Sequence, residues 1–176
     1  PRCALLAVGK AAPLMSAGAF DALAGRISRA LVVAPGSVRI RFPDVAVLLP
    51  GDHPVPGGNS LRAGKAVSGW LESLEPALPL LVLLSGGGSA LLEHPIAGMQ
   101  RSELRRVNEW LLASGLDIHH VNTIRARFSQ LKRGGLLSLA GDRAVTGLVI
   151  SDVPGDDPAT VASGPTIRDS APPGAA

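Results

Sequence analysis

The chain has 176 residues, of which 46% are hydrophobic and 18% charged, and its formal net charge is +3. This composition excludes a disordered chain, while a single cysteine excludes a disulfide framework. The low aromatic content and modest positive charge favour a small anionic ligand and argue against nucleic acid as a partner. With no targeting signal and no apolar run of the roughly 18 residues that cross a bilayer, we expect a cytoplasmic protein without a membrane partner.

The hydrophobic pattern predicts short strands that alternate with helices. In chain order, the predicted strands cover residues 3–8, 31–34, 46–49, 79–84 and 144–150. The predicted helices cover residues 11–29, 59–74, 102–114 and 117–132. Strands that are apolar throughout are typical of a buried, mostly parallel sheet, so we expect an α/β fold with helices on both faces. In such folds ligands bind beyond the carboxyl ends of the strands.

A glycine-rich loop follows the predicted strand at 79–84 and is the strongest local signal. It consists of Ser85, Gly86, Gly87, Gly88 and Ser89. Glycines let the backbone approach a ligand closely, and successive N–H groups form a nest that binds phosphate or carboxylate. The alternative is a turn that only packs. The loop matches none of the Walker A, Gly-x-Gly-x-x-Gly and Gly-x-Ser-x-Gly motifs.

Three other strand ends carry candidate chemical groups. Lys10 stands at a predicted helix start, which is unfavourable for a cation unless an anion binds there. Asp152 follows the last predicted strand, where a carboxylate can accept a proton or hold Mg²⁺. His53 lies in a proline-rich loop and is either a substrate contact or a structural residue. Lys10 has the alternative of an ordinary surface lysine.

The predicted helix at 117–132 carries a polar stripe beside its apolar face. The stripe contains Asn122, Arg125, Ser129 and Lys132, at spacings of three and four residues. We expect it to line a cleft in which Arg125 and Lys132 hold a carboxylate or phosphate. The alternative is a boundary stripe whose cations extend into solvent. Together with Lys10, Asp152 and the glycine loop, this stripe indicates phosphoryl transfer to a small hydroxy acid.

Several segments resemble the glycerate 2-kinase family whose members carry a MOFRL domain, some of them named hydroxypyruvate reductase. The quoted segments are Val8-Gly-Lys-Ala-Ala12, His53-Pro-Val-Pro56, Leu84-Ser-Gly-Gly-Gly-Ser-Ala-Leu91, Asn122-Thr-Ile-Arg125 and Ser151-Asp-Val-Pro-Gly-Asp-Asp157. The resemblance implies a Rossmann-like three-layer sandwich over residues 1–169 and a Pro/Ala-rich end at 170–176. It implies that the family uses ATP and Mg²⁺, or another divalent cation, to convert D-glycerate to 2-phosphoglycerate.

The resemblance also assigns roles to residues. It makes Lys10 and Asp152 the catalytic pair, places phosphate on the loop from Ser85 to Ser89, and places Arg125 and Lys132 in the same cleft. Asp152 is also the candidate metal ligand. Taken together with the residue patterns above, this predicts four substrate-binding residues, His53, Asn122, Arg125 and Lys132. The sequence departs from the family pattern at three places, with Asp52 and Arg133 each where a glycine is usual and Ala126-Arg127 where Lys-His is usual.

The resemblance further predicts that the chain is a fragment. The family's C-terminal MOFRL domain and N-terminal helix have no counterpart in it, and that second domain is expected to complete the active site. A homodimer is left open. Two alternative functions remain, an NAD(P)-dependent hydroxypyruvate reductase and a catalytically inactive anion-binding module.

Overall fold

The computed structural model describes residues 2–168, which form a five-stranded sheet whose strands are all parallel. The strands are β1 (Cys3–Val8), β2 (Ile27–Pro35), β3 (Ala46–Gly51), β4 (Leu80–Ser85) and β5 (Val145–Ile150). Their spatial order is β3-β2-β1-β4-β5, so after β3 the chain crosses back over the sheet and β4 pairs with the free side of β1. The boundary between β1 and β4 is the topological switch point of a doubly wound, Rossmann-like sheet. The predicted α/β fold is confirmed, and the predicted end at 170–176 lies outside the described residues.

Helices cover both faces of this sheet, as predicted. The helices are α1 (Ala12–Leu23), α2 (Gly58–Glu72), α3 (Gly88–Leu91), α4 (Arg101–Ala113), α5 (Ile118–Ala126) and α6 (Gly135–Ala140). Leu5 and Ala7 of β1 join the cluster that packs under α1, whereas Leu6 and Val8 join the cluster under α2, α3 and α6. This alternation places successive side chains in two cores. Burying each leucine contributes roughly 1.5–3 kcal/mol.

The first helix is shorter than predicted. It ends at Leu23, whereas the pattern predicted a helix over 11–29. Ala24 and Gly25 adopt positive φ angles of 29° and 79°, which reverse the chain and end the helix. The following residues enter β2, which begins at Ile27 and is paired with β1 on one side and β3 on the other. Sheet pairing therefore overrides the helical spacing in this segment.

The prediction of one continuous helix over 117–132 is wrong. Helix α5 ends at Ala126, and the chain then runs alongside residues 94–96. Phe128 accepts a hydrogen bond of 3.2 Å from the Ile96 N–H, and the Gln130 N–H donates one of 2.8 Å to His94. These bonds replace the helical ones, so the polar stripe predicted on one helix is divided between α5 and the segment after it.

The expected burial of the last strand is also wrong. Leu148 and Ile150 of β5 are 53% and 52% exposed. Strand β5 is at the edge of the sheet that residues 2–168 form, and α1 packs on β1, β2 and β4 instead. In the described part of the chain, no helix combines the length and apolar character needed to cross a bilayer.

Asp52 stabilises the start of α2. Its carboxylate accepts hydrogen bonds of 2.7 Å and 3.3 Å from the backbone N–H groups of Asn59 and Ser60, and another of 2.7 Å from the Asn59 side chain. Burial opposes ionisation, but these hydrogen bonds outweigh burial and lower the pKa of Asp52. The carboxylate therefore satisfies two helix N–H groups that lack partners within the helix.

We expect Asp52→Ala to lower the free energy of unfolding by about 1 kcal/mol at neutral pH, because it removes this cap. The folded protein has a lower Asp52 pKa than the unfolded chain, whose ordinary value is 3.8. The stabilisation is therefore complete above that value and disappears as pH falls through the lower, folded-state pKa. Urea unfolding of both proteins from about pH 7 to pH 3 checks this. A stability difference that persists unchanged at the acidic end would contradict it, and Asp21→Ala, at an exposed position of α1, serves as the control.

Candidate active site

The loops after β1 and β4 meet at the switch point of the sheet. The Lys10 N–H donates a hydrogen bond of 2.9 Å to the Gly86 carbonyl. The Ala11 N–H donates one of 3.0 Å to Ser85 Oγ. The Ser85 hydroxyl thus ties the two loops together, and the residue is only 2% exposed. This contact gives Ser85 a structural function, while its predicted contact with phosphate stays a prediction.

Gly86 lies directly under the Asp152 carboxylate. A Cβ atom at position 86 would stand 1.7 Å from Asp152 Oδ2. Only glycine leaves room for that carboxylate, because such a separation is far below van der Waals contact. The end of β5 therefore brings Asp152 onto the glycine loop.

The side chains of two further predicted site residues, Lys10 and His53, pack against Gly87. It has a φ of +84°, and a Cβ there would lie 3.1 Å from Lys10 Cε and 3.2 Å from His53 Cδ2. Lys10 and His53 consequently lie over Gly87 while Asp152 lies over Gly86. The structure thus brings together three side chains that are 43 or more residues apart in the sequence.

The environment of His53 favours the neutral imidazole. Partial burial lowers its pKa, and the positive charge of Lys10 lowers it further, while the negative charge of Asp152 acts in the opposite direction. His53 is therefore uncharged at neutral pH. One ring nitrogen can donate a hydrogen bond and the other can accept one, so the ring can orient a hydroxyl group.

The backbone of the glycine loop is available to a ligand. The N–H groups of Gly86, Gly87 and Gly88 donate no backbone hydrogen bond within residues 2–168. Gly87 is left-handed, a conformation that lets neighbouring N–H groups point to one side. This arrangement has the geometry of an anion-binding nest, and phosphate binding to it stays a prediction.

Ser89 and Asn122 form a separate hydrogen-bond relay. Ser163 Oγ donates to Asn122 Oδ1 at 3.1 Å, so Ser89 donates to Ser163 Oγ, with an Oγ–Oγ distance of 2.7 Å. Asn122 Nδ2 donates a long hydrogen bond of 3.4 Å to the Thr160 carbonyl. The relay joins the glycine loop to α5, and Asn122 itself is buried. Its predicted contact with substrate remains a prediction.

Lys132 does not line an open cleft, contrary to the expectation from the sequence. It is buried and forms an ion pair with Glu93, which is 1% exposed. Burial lowers the pKa of Lys132, while the neighbouring Glu93 carboxylate opposes that shift. The correction follows from the end of α5 at Ala126, which turns Lys132 towards the core. A direct substrate contact of Lys132 stays a prediction.

Arg125 lies close enough to the Glu93–Lys132 ion pair to interact with both charges. Burial lowers its pKa, and Glu93 acts against that shift. Its Nε atom is buried without a hydrogen-bond partner among the described residues. Within the described structure, Arg125 is thus coupled to Glu93, and its role in substrate binding remains a prediction.

The sequence analysis missed Glu93. Glu93 follows the buried pair Leu91 and Leu92, and a charge directly after such a pair was a usable signal. The sequence suggested residues 160–166, which include Ser163, as a further loop that faces the site, but it assigned no role to Ser163 itself. The contact of Ser163 with Ser89 arises from a backbone conformation with φ of +64°.

Among the described residues, Asp152 is the one best suited to bind a metal ion together with substrate phosphate groups. Residues 2–168 contain no group of three or more His, Cys, Asp or Glu side chains that could hold one. Magnesium commonly binds through one or two carboxylates, with water and substrate phosphates as its other ligands. The exposed Asp152 carboxylate beside the nest fits that pattern. It would hold the ion together with bound phosphate groups.

The comparisons place the chain among known proteins. A family model described as "Domain of unknown function (DUF4147)" matches residues 1–176. The chain belongs to the DUF4147 family. This DUF4147 chain is 41% identical over 172 residues to a putative hydroxypyruvate reductase from Agrobacterium vitis, covering 94% of the chain and 43% of the relative. It is 37% identical over 170 residues to D-glycerate 2-kinase from Thermotoga maritima, covering 96% of the chain and 40% of that relative.

Solved structures confirm the fold of the DUF4147 chain. The crystal structure of glycerate kinase from Thermotoga maritima matches 96% of the chain and 41% of its own length, with a TM-score of 0.89 and 36% identity. A Pyrococcus horikoshii protein matches with a TM-score of 0.80 and 29% identity, over 96% of the chain and 38% of its own length. The DUF4147 chain thus spans about two fifths of these relatives.

Proposed function

We propose that the DUF4147 chain provides the phosphoryl-transfer site of an ATP-dependent kinase that converts D-glycerate to 2-phosphoglycerate. The observation that carries this proposal is the convergence of Lys10 and Asp152 on the free backbone of Gly86 and Gly87. A cation, a carboxylate and a phosphate nest are the parts that phosphoryl transfer needs. The names of the glycerate kinase relatives support the proposal.

In the proposed reaction, the glycine loop holds the phosphates of ATP. Its N–H groups face the negative oxygens, and the Lys10 ammonium neutralises charge on the transferred group. A magnesium ion, when bound, would neutralise further phosphate charge. Because both the nest and Lys10 are fixed by the sheet, they need little rearrangement when the substrate binds.

Asp152 acts on the acceptor in this proposal. Its carboxylate accepts the proton of the glycerate 2-hydroxyl as that oxygen bonds to the γ-phosphorus. The bond between the γ-phosphorus and the bridging oxygen breaks, and ADP leaves with the electron pair. The neutral His53 ring orients the hydroxy acid beside Gly87. The second domain expected from the resemblance would exclude water from this site.

A direct assay tests the proposal. We expect the full-length protein, including the second domain that the resemblance predicts, to form ADP when given D-glycerate, ATP and Mg²⁺, and to leave NADH unchanged when given hydroxypyruvate. Coupled measurement of ADP and absorbance of NADH read the two activities separately. ADP that forms equally without glycerate would contradict the proposal.

The second candidate is the hydroxypyruvate reductase named among the relatives. Dinucleotide sites of this fold place a glycine-rich turn after the first strand and an acidic residue after the second. Here Lys10 follows β1, and β2 ends at Pro35 with no acidic residue before Asp44. These features favour the kinase. NADH consumption with hydroxypyruvate, without ADP formation, would reverse that choice.

A further inference from the structure

The chain segment that carries Asp152 contacts the glycine loop at two places. Asp152 lies over Gly86 at the start of the loop. Ten residues later in the chain, Ala162 packs against Gly88, where an added Cβ atom would stand 2.6 Å from the Cβ atom of Ala162. One segment therefore contacts both ends of the nest formed by Gly86–Gly88.

A buried hydrogen-bond relay holds the second of these contacts. Ser163, which is 0% exposed, accepts a hydrogen bond from Ser89 of the glycine loop at an Oγ–Oγ distance of 2.7 Å. It donates its own proton to Asn122 Oδ1 on α5 at 3.1 Å. A serine hydroxyl has one proton, so these two bonds together set its orientation. Ser163 therefore joins the glycine loop to α5 through a single side chain.

The turn that contains Ser163 is held in a conformation that its residues do not favour. Ala162 and Ser163 have φ angles of +53° and +64°, in the left-handed region that non-glycine residues rarely adopt. The Arg133 N–H donates a hydrogen bond of 2.9 Å to the Ser163 carbonyl. The Gly134 N–H donates one of 2.8 Å to the Gly164 carbonyl. Because backbone strain of this kind persists only where the surrounding structure imposes it, the turn is kept in place by its neighbours.

The loop that carries Asp152 is attached to the fold through this turn. Residues 154–158 are all exposed, whereas residues 160, 161 and 163–165 are buried. Asp152 itself is exposed and follows the end of β5. The end of β5 and the buried turn are thus the two attachments of the loop. A displaced turn would therefore change the position of Asp152 relative to the nest.

We infer that Ser163 is a positioning residue for the proposed phosphoryl transfer, because its relay holds the Asp152 loop in register with the phosphate nest. The inference rests on the proposed function, in which Asp152 accepts the proton of the hydroxyl that attacks a phosphate held on the nest. A displacement of about 1 Å between groups that act on one reacting centre can lower the rate about 100-fold. The inference also assigns the Ser89 hydroxyl to this relay, since its proton is donated to Ser163.

Steady-state kinetics of the full-length protein with ATP, D-glycerate and Mg²⁺ test the inference on two variants. Ser163→Ala and Ser163→Gly both remove the hydroxyl, but only glycine suits the positive φ angle at this position. We therefore expect the glycine variant to unfold at a higher temperature than the alanine variant. Both variants should lower kcat about tenfold and leave KM for D-glycerate within about threefold. A serine that only stabilised the fold would leave kcat unchanged in each variant below its unfolding temperature.

A double variant tests whether Ser89 and Ser163 act as one unit. Ser89→Ala breaks the same relay at its other end, so adding it to Ser163→Gly should lower kcat no more than about twofold beyond the stronger single change. Ser28→Ala provides the control. The Ser28 hydroxyl donates a hydrogen bond of 3.2 Å to the Cys3 carbonyl at the amino ends of β1 and β2, the opposite edge of the sheet from the site. This control should leave kcat unchanged.

An exchange of side-chain size tests the contact between the turn and Gly88. Gly88→Ala places a methyl group against Ala162 and is expected to lower kcat about tenfold. Adding Ala162→Gly removes the opposing methyl group, and glycine also suits the φ of +53° at that position, so the double variant should regain most of the wild-type kcat. Without this recovery, glycine at position 88 would be required for a reason other than the turn, and the packing part of the inference would be wrong.

The outcomes separate this inference from the proposed function. If Ser163→Gly retains more than about half of the wild-type kcat, or if the losses of Ser89→Ala and Ser163→Gly multiply, Ser163 does not position the site, while the proposed kinase stands. If the wild-type protein forms no ADP that depends on D-glycerate, the proposed function fails and the inference fails with it. Glycerate-dependent ADP formation by the wild type, together with the reduced kcat of Ser163→Gly, supports both.

Discussion

Asp152→Asn is expected to reduce turnover of glycerate and ATP by about 10²- to 10⁴-fold, the usual contribution of a positioned general base. The amide keeps the size of the carboxylate that lies over Gly86, so the loop retains its shape. It loses the ability to take up the hydroxyl proton.

Lys10→Ala is expected to reduce turnover by about 10²- to 10³-fold, because charge on the transferred phosphoryl group is no longer neutralised.

Steady-state kinetics with thermal unfolding as a parallel measurement check this expectation. Both residues are exposed, so neither substitution should change the unfolding temperature appreciably. Asp156→Asn provides a matched control, because it changes an exposed carboxylate in the same loop. If Asp152→Asn retained more than about one tenth of the activity, Asp152 would not be the base.

Breaking the buried Glu93–Lys132 ion pair is expected to destabilise the fold strongly. Lys132→Met leaves the Glu93 carboxylate in the core without its hydrogen-bonded partner, at a cost of about 3–5 kcal/mol. The unfolding temperature should fall by roughly 10 °C. Glu93→Leu should cost at least as much, because both Lys132 and Arg125 then lose the neighbouring negative charge.

The double variant Glu93→Leu, Lys132→Met distinguishes a buried charge from a simple packing contact. It removes both charges, so its stability should return close to that of the wild type. The exposed pair Arg105–Glu109 is the control, and Arg105→Met should change stability by less than about 1 kcal/mol. Additive losses in the double variant would show that the charges themselves are not the source of the effect.

The ion pair also bears on the assignment of Lys132 to substrate. A lysine that both stabilises the core and binds substrate would lower activity in the double variant even after stability has recovered. A lysine that acts only in the core would leave the Michaelis constant for glycerate unchanged in that variant. Kinetics of the double variant therefore distinguish a role of Lys132 in substrate binding from a role in the core alone.

The sequence by itself determined the sheet and one half of the site. Continuous apolar runs predicted all five strands. For the central strands β1, β2 and β4 the reason is burial on both faces, which needs hydrophobic residues throughout. The rule that ligands bind at the carboxyl ends of parallel strands then predicted that Lys10, the glycine loop and Asp152 would meet. The structure brings them together at Gly86 and Gly87.

The helical spacing of polar residues did not predict the structure of the segment after α5 correctly. Helical periodicity placed Asn122, Arg125 and Lys132 on one stripe, but hydrogen bonds with residues 94–96 end the helix at Ala126. That partner segment lies about thirty residues earlier in the chain, so no window around Lys132 contains the cause. The buried pairing with Glu93 follows from the same long-range contact.

Tertiary structure alone decided the position of Ser163. Ala162, Ser163 and Gly164 all have positive φ angles, a conformation that the sequence does not specify for alanine or serine. Contacts with Gly88 and Ser89 and hydrogen bonds from Arg133 and Gly134 hold this turn in place. The sequence therefore fixed the residues that follow each strand, whereas the pairing of distant loops decided which of them share one binding surface.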